Sequence, residues 1–324
     1  YRGGIAVFNE RLAKEFSSQG DQISIKTFTL QYPNFLFPGK SQFTNLEYDG
    51  HVKITRELNS INPFNWVKVG NKIREERPDI LILKYWIPFM APCLGTVSRI
   101  VRKNNHTKVI VVVDNIIPHE KRVGDKLLSK FFVKSVDGFV CMSKQVFNDL
   151  EILDSKANKI NSYHPIYDNF GKSITKQQSI TNLKLNGDYK HILFFGIIRK
   201  YKGLDLLIRA FSKLKHEKIR LIIAGEFYDN QDYYLDLIQS LGLDDSIILK
   251  NEFIPDNMVV NYFCSCDIVA QPYKSATQSG VTQIAYHFEK PMLVTDVGGL
   301  AEIVKHDVSG YVCSPDVDSV YQSL

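Results

Sequence analysis

No apolar run in this chain reaches the roughly 18 to 20 residues that a bilayer-crossing helix needs. The longest candidates, such as Lys108 to Val113, are strand-sized, so a membrane-spanning chain is not expected. Cysteine is scarce, at Cys93, Cys141, Cys264, Cys266 and Cys313, mostly inside apolar runs. An odd number so placed argues against a disulfide framework and for buried thiols in a reducing compartment. Cys264 and Cys266 have no His or Cys pair nearby to complete a zinc site, so no metal is expected. Arg2-Gly3-Gly4 occurs once with nothing repeating it, and the net charge is only +5. That is far from a nucleic-acid signature, while it suits an acidic surface or a phosphate-bearing substrate. No strand–GxGxxG–helix is followed by a ribose-binding acid, which counts against a nicotinamide enzyme. The chain also lacks an initiating Met and a signal peptide, opens on a Gly-rich turn, and closes in an unterminated helical pattern from Asp316 to Leu324. It reads as a fragment truncated at both termini.

What is present is the composition of a globular α/β protein. With 324 residues, 44% hydrophobic and 23% charged, the chain is long for one domain and comfortable for two. Short apolar runs alternate with helical periods. Ile5, Phe8, Leu12 and Phe16 step by three and four, and strands are expected at 23–28, 79–85, 108–113 and 138–142. Ser143 is placed to cap the helix that follows. Residues 31–65, rich in Pro, Asn and aromatics, read as an elaborated loop. The alternation then restarts with strands at 191–195, 220–224, 246–249, 267–271 and 292–295. The expected organisation is a first domain over 1–168, a polar linker over 169–189, and a second domain over 190–324. Both domains are expected to be Rossmann-like, doubly wound parallel sheets whose loops face each other across a cleft. His164 to Asp168 would close the first domain in a packing role.

Two turns in the second half carry chemistry. Gly196 to Gly203 follows a strand and opens a helix, aiming free backbone N–H groups at an anion, with Arg199 and Lys202 adding charge suited to a diphosphate. Taken alone, such a turn could equally be two solvated cations. Ser275 to Thr282 has the same strand–loop–helix setting; its hydroxyls and Gly280 allow close backbone approach, or simply a capping turn. In the first half, Pro118-His119-Glu120 follows a buried strand. His119 there could orient hydroxyls or serve the loop, and Asp114 could contact a hydroxyl or only turn the chain.

These residues resemble the family 4 (group 1) glycosyltransferases of GT-B fold. The resemblance is carried by Phe195-Gly196 through Ile208, Ala224-Gly225-Glu226, Asp267 through Tyr273, Pro291 through Leu300, Glu302-Ile303-Val304 and Gly310-Tyr311-Val312. Arg2 through Ala6 and Pro118 through Arg122 are similar in the first half. The resemblance implies retaining, metal-free transfer of a sugar from a nucleoside-diphosphate sugar to a glycan or polyprenyl-linked acceptor, an EC 2.4 reaction. It implies cell-surface polysaccharide synthesis in a bacterial cell envelope, in the cytoplasm or peripherally on the inner face of the membrane, with no nucleic acid and no cofactor. Lys202 matches the family's phosphate-binding lysine, and Arg199 would replace its arginine, which normally directly follows the glycine where Ile197 stands. Gly3, Gly4, Gln278, Ser279, Gly280 and Val281 would also hold the diphosphate. Glu226, Thr282 and Glu302 would contact the donor, and Glu120 and Arg122 the acceptor. The family's histidine falls nearer Asp114 than His119, and both residues are candidates for the catalytic role. The departure is a missing pair of glutamates eight residues apart, where this chain has Ala276 and Ile284. Their loss removes charge-assisted hydrogen bonds of about 1.5–3 kcal/mol each, and leaves a non-catalytic nucleotide-sugar-binding or partner subunit as the alternative.

Overall fold

A computed structural model describes residues 4–33, 50, 52–118, 123–214 and 218–324. The chain divides into two compact units, Tyr1–Tyr163 and His164–Leu324.

Unit 1 runs α1 (Gly4–Ser18), β1 (Ser24–Leu30), β2 (Lys53–Asn59), α2 (Pro63–Glu76), β3 (Ile80–Tyr85), α3 (Ala91–Arg102), β4 (Lys108–Val113), α4 (Asp125–Val133), β5 (Gly138–Cys141), α5 (Lys144–Leu153) and β6 (Lys159–Asn161). β3, β4, β5 and β6 form a parallel sheet in that order, and β1 pairs in parallel with β2. The apolar strand period explains the layering: Leu83, Tyr85, Val109, Val111, Val113, Phe139 and Cys141 share one core with Val69 and Ile73 of α2, Val97 and Val101 of α3, and Phe132 of α4. Tyr85 stacks on Phe132 at 4.1 Å between centroids. Each such large side chain taken from water is worth about 1.5–3 kcal/mol. Helix starts are chemically marked. Asn62 accepts from the amides of Phe64 and Asn65, Pro63 opens α2, and Ser143 accepts from Val146 as its position led us to expect. Both tryptophans of the chain lie in this unit, Trp66 donating to Asn59 O at 2.7 Å and Trp86 to Tyr32 Oη at 2.6 Å.

Unit 2 runs α6 (Lys176–Leu183), β7 (Lys190–Phe195), α7 (Leu204–Phe211), β8 (Ile219–Ala224), α8 (Gln231–Ser240), β9 (Ile247–Lys250), α9 (Asp256–Ser265), β10 (Ile268–Gln271), α10 (Gly280–His287), β11 (Met292–Thr295), α11 (Leu300–Ile303), β12 (Gly310–Cys313) and α12 (Val317–Ser323). Its six-stranded sheet has the order β12-β11-β10-β7-β8-β9, all parallel. This is the doubly wound order, and it reverses between β7 and β10, where a crevice opens outside the strands' carboxyl ends. Leu204, Leu207, Ile208 and Phe211 form the fully buried stripe of α7.

Strands and helices of both units match the expected α/β class, mostly within one to three residues. Three stretches differ. The expected loop 31–65 contains β2, whose apolar Ile54 and Leu58 are separated by charged residues. The segment 169–189 contains α6, closed at its start by a reciprocal Thr175–Gln178 capping box and docked on α9 through Asn182 Nδ2 donating to Asn261 Oδ1 at 2.8 Å. His164 to Asp168 groups with unit 2, where Tyr167 and His164 meet edge to face. Four cysteines are buried and Cys313 is half-buried, all as free thiols. Among the described residues no helix is long and apolar enough to cross a membrane.

Candidate functional site

The turn after β7 is anchored from beneath. Ile198, fully buried, donates its N–H to Glu226 O at 2.9 Å and accepts from Tyr228 N–H at 3.0 Å. Gly196 (φ +96°) and Gly203 (φ +67°) bracket the turn in the left-handed region. At Gly203 a Cβ would strike the carbonyl of Pro272, so only glycine lets α7 begin against the end of β10. The turn is tied to the loop after β10 by Lys274 N–H, which donates to Tyr201 O at 2.6 Å.

Lys202 is half-buried and turned inward. A Cβ built on Gly196 would lie 3.4 Å from its Nζ, and its ammonium stands 5.5 Å from the Tyr273 ring centroid. No carboxylate among the described residues forms an ion pair with it. Burial holds its pKa below the ordinary 10.5, with Arg199 pushing the same way against Tyr201. Arg199 lies over Tyr228, 5.4 Å from the ring centroid.

The second turn ends where α10 begins. Ser279 is extended, its hydroxyl makes no capping bond to the helix, and it pairs instead with Tyr273 Oη at 3.3 Å. Thr282 is buried and donates to Gln271 Oε1 at 3.1 Å. Gly280 faces Tyr167, whose Cε2 would lie 3.0 Å from a Cβ there, and Val281 Cγ2 would lie 3.6 Å from one at Gly196. Gly298 (φ +51°) lets the carbonyl of Ala276 approach. Lys202 and the start of α10 are thus neighbours, joined through Gly196 and Tyr273. The switch point brings Lys202, Ser279, Gly280 and Val281 together, with Arg199 on the first turn and Gln278 on the second. Glu226 is buried just beyond β8, and Glu302 is half-buried in the first turn of α11. Ala276 and Ile284, at the positions of the absent glutamates, are buried.

In unit 1, Gly4 begins α1. Gly3, His119, Glu120 and Arg122 lie outside the described residues. Asp114 stands just after β4, its N–H donating to Tyr85 O, and its Oδ1 is 2.8 Å from Lys84 Nζ. That ammonium also lies 3.6 Å over the Phe8 ring. Burial lowers the Lys84 pKa while Asp114 pulls it back up. Read from the sequence, Lys84 has no role and Tyr167 only a packing one, within His164 to Asp168. The signal for Lys84 was a charge near the end of an otherwise apolar strand, Ile80-Leu81-Ile82-Leu83-Lys84-Tyr85. Tyr167 gave no signal, because its contact is 113 residues away in sequence, from position 167 to position 280.

A six-stranded doubly wound sheet with two strand–loop–helix turns meeting at its switch point defines a Rossmann-like unit, an arrangement whose loop amides can hold an anion. Residues 175–322 match the family described as glycosyl transferases group 1. The uncharacterized glycosyltransferase MJ1607 of Methanocaldococcus jannaschii is 34% identical over 139 residues, covering 42% of this chain and 35% of that protein. The putative glycosyltransferase YtcC of Bacillus subtilis is 32% identical, covering 47% of this chain and 39% of its own length. The chain therefore matches less than half the length of these two relatives. The uncharacterized glycosyltransferase MJ1178 of M. jannaschii is 25% identical and matches 96% of this chain and 79% of its own length. Among solved structures, sucrose-phosphate synthase from Thermosynechococcus elongatus superposes with a TM-score of 0.79 at 15% identity, over 99% of this chain and 83% of that one. Anabaena Alr3699/HepE in complex with UDP and glucose gives 0.69 at 18% identity, over 84% and 75%. These likenesses carry the fold, two parallel sheets in separate halves of GT-B type.

Proposed function

We propose that the chain transfers a sugar from a nucleoside-diphosphate sugar to a hydroxyl of a glycan or polyprenyl-linked acceptor, with retention and without a metal ion. The observation that carries this reading is the inward ammonium of Lys202, ion-paired with no carboxylate among the described residues, beside the start of α10. A diphosphate there would accept from amides of Ser279 to Thr282 and meet Lys202 and Arg199. As the glycosidic bond breaks, negative charge grows on that same diphosphate, so these groups bind the transition state more strongly than the donor. Gln278 would complete the diphosphate cradle, and Glu226, Thr282 and Glu302 would meet the sugar and nucleoside. Asp114, oriented by Lys84, and His119 are the proposed hydroxyl-handling groups of unit 1, with Glu120 and Arg122 toward the acceptor. HepE, of like fold, is solved with UDP and glucose, which supports a diphosphate donor here. Family resemblance extends the proposal to cell-envelope polysaccharide synthesis at the cytoplasmic face of a membrane.

The test is calorimetric titration with UDP, GDP and ADP. Lys202→Ala should weaken the best of them roughly 10- to 100-fold, the value of one charge-assisted hydrogen bond; unchanged affinity overturns the reading. The second reading, a binding subunit without catalysis, is favoured by Ala276 and Ile284 standing in place of carboxylates. Hydrolysis or transfer of a bound donor by the purified protein excludes it.

A further inference from the structure

At α2, α5, α6, α8 and α12 the N-cap residues Asn62, Ser143, Thr175, Asn230 and Asp316 each accept a first-turn N–H on the side chain. Ser279 holds the same place at α10, also in extended conformation, yet its hydroxyl takes no such bond. The first-turn amides of a helix have no acceptor within it. Thr282, on that turn, gives its hydroxyl to Gln271 instead. Neither hydroxyl therefore covers the amides of Val281 and Thr282.

What draws Ser279 away is Tyr273, whose hydroxyl oxygen stands 3.3 Å from Ser279 Oγ. A phenol is a stronger acid than an alkyl alcohol, so the tyrosine donates and Ser279 Oγ is held facing it. Burial pushes the Tyr273 pKa up to about 12 while the bond to Ser279 pulls the other way, so the phenol keeps its proton at neutral pH. Tyr273 is itself fixed: it is 3% exposed, its carbonyl accepts from Thr295 Oγ1 at 2.5 Å, and its ring meets Tyr201 edge to face at 6.1 Å. The Lys202 ammonium stands 5.5 Å from the centroid of the same ring, within cation–π range. One side chain thus touches both turns.

We propose that Tyr273 is a positioning residue for the diphosphate: its hydroxyl draws Ser279 off the start of α10 and leaves the first-turn amides open to ligand oxygens, while its ring holds the Lys202 ammonium beside them. A serine cap and a diphosphate oxygen compete for the same N–H groups, so a cap withheld in the empty protein is an acceptor place kept for the ligand. The inference rests on the donor reading above and adds to it a residue that acts through Ser279 and Lys202.

The experiment is calorimetric titration of the whole chain with UDP, GDP, ADP and inorganic pyrophosphate, for wild type, Tyr273→Phe and the double variant Tyr273→Phe, Ser279→Ala. Tyr273→Phe keeps the ring beside Lys202 and frees Ser279 to cap, so the best ligand should bind about fivefold more weakly, the worth of one cap. Ser279→Ala in that background removes the cap, and most of the affinity should return. In the ligand-free protein, amide exchange followed by NMR should slow at Val281 or Thr282 in Tyr273→Phe and recover in the double variant. A tyrosine that only packs would speed exchange when its hydroxyl is lost, and removing a second hydroxyl would rescue nothing. Equal affinity of Tyr273→Phe and wild type overturns the proposal, as does a loss that Ser279→Ala leaves in place, or unchanged exchange at both amides. These outcomes leave the donor reading intact, because Lys202→Ala decides that one. Binding of pyrophosphate but of no nucleotide would sink the donor reading and leave Tyr273 to the same comparison; binding of neither overturns both.

Discussion

Lys84 and Asp114 illustrate how a single buried pair ties stability to chemistry. Their side chains are only 5% and 14% exposed, and their 2.8 Å contact holds the carboxylate in one orientation at the end of β4. Lys84→Met leaves that carboxylate buried without its lysine, a change that costs roughly 3–5 kcal/mol when one partner of a buried pair is removed. Urea unfolding followed by circular dichroism should register a loss of this order. The double variant Lys84→Met, Asp114→Asn should recover part of it, because the carboxylate that lost its lysine is neutralised as well. A double variant as unstable as the single one would mean that Lys84 acts by packing on Phe8 alone.

At the scale of elements, the start of β7 is a small charged knot at the opposite end of the sheet from the candidate site. Asp267 accepts from Lys176 Nζ at 2.6 Å and from the backbone N–H of His191 at 2.8 Å. Burial pushes its pKa up, but those donors and Lys190 outweigh it and leave it below the ordinary 3.8. The imidazole of His191 is fully buried, and neither ring nitrogen has a partner among the described residues. Burial lowers its pKa below 6.5, aided by Lys176 and Arg220 against Asp267. The unfolded chain thus takes up a proton at His191 as pH falls through 6.5, while the folded sheet refuses it until its lower pKa is reached. Unit 2 should therefore lose stability on acidification from about pH 6.5 downward. The Asp267 contribution is present above the unfolded value of 3.8 and is lost only below it. His191→Leu should flatten the urea midpoint between about pH 7 and pH 5.5; the wild-type slope persisting in this variant would assign it to another group.

Elements of this kind also decide what could be read in advance. Strands such as Lys108–Val113 and the stripe of α7 were legible because each stands alone as an apolar pattern, and the two turns because a glycine and cations follow a strand. β2 was not, since charges at Lys53, Arg56 and Glu57 broke the alternation. α6 has little apolar periodicity, with Ser179 and Ile180 its buried residues, yet its Thr175–Gln178 capping signature was visible and went unused. The convergence of Lys202 with Gly280 depended on the β7–β10 switch, which strand order alone reveals. Tyr167, meeting Gly280 from a distant stretch, depended on tertiary packing.

For the molecule as a whole, the division between Tyr163 and His164 gives unit 2 its own core and its own candidate ligand site. A chain of 161 residues with a six-stranded sheet is within the size that folds alone. Residues 164–324 made by themselves should unfold cooperatively, and a nucleoside diphosphate at a hundred times its Kd should stabilise them by about 2.7 kcal/mol. Calorimetric melting with and without the nucleotide checks both statements; a fragment that folds but ignores every nucleoside diphosphate would detach the ligand site from this unit.

The confinement of Trp66 and Trp86 to the first 163 residues makes the polypeptide optically lopsided. Red-edge ultraviolet excitation reaches only the indoles, so emission from the native sequence reports the amino-terminal half with no label attached. A tryptophan introduced at Tyr228, beside Arg199, would give the carboxy-terminal half a voice of its own at the mouth of its crevice.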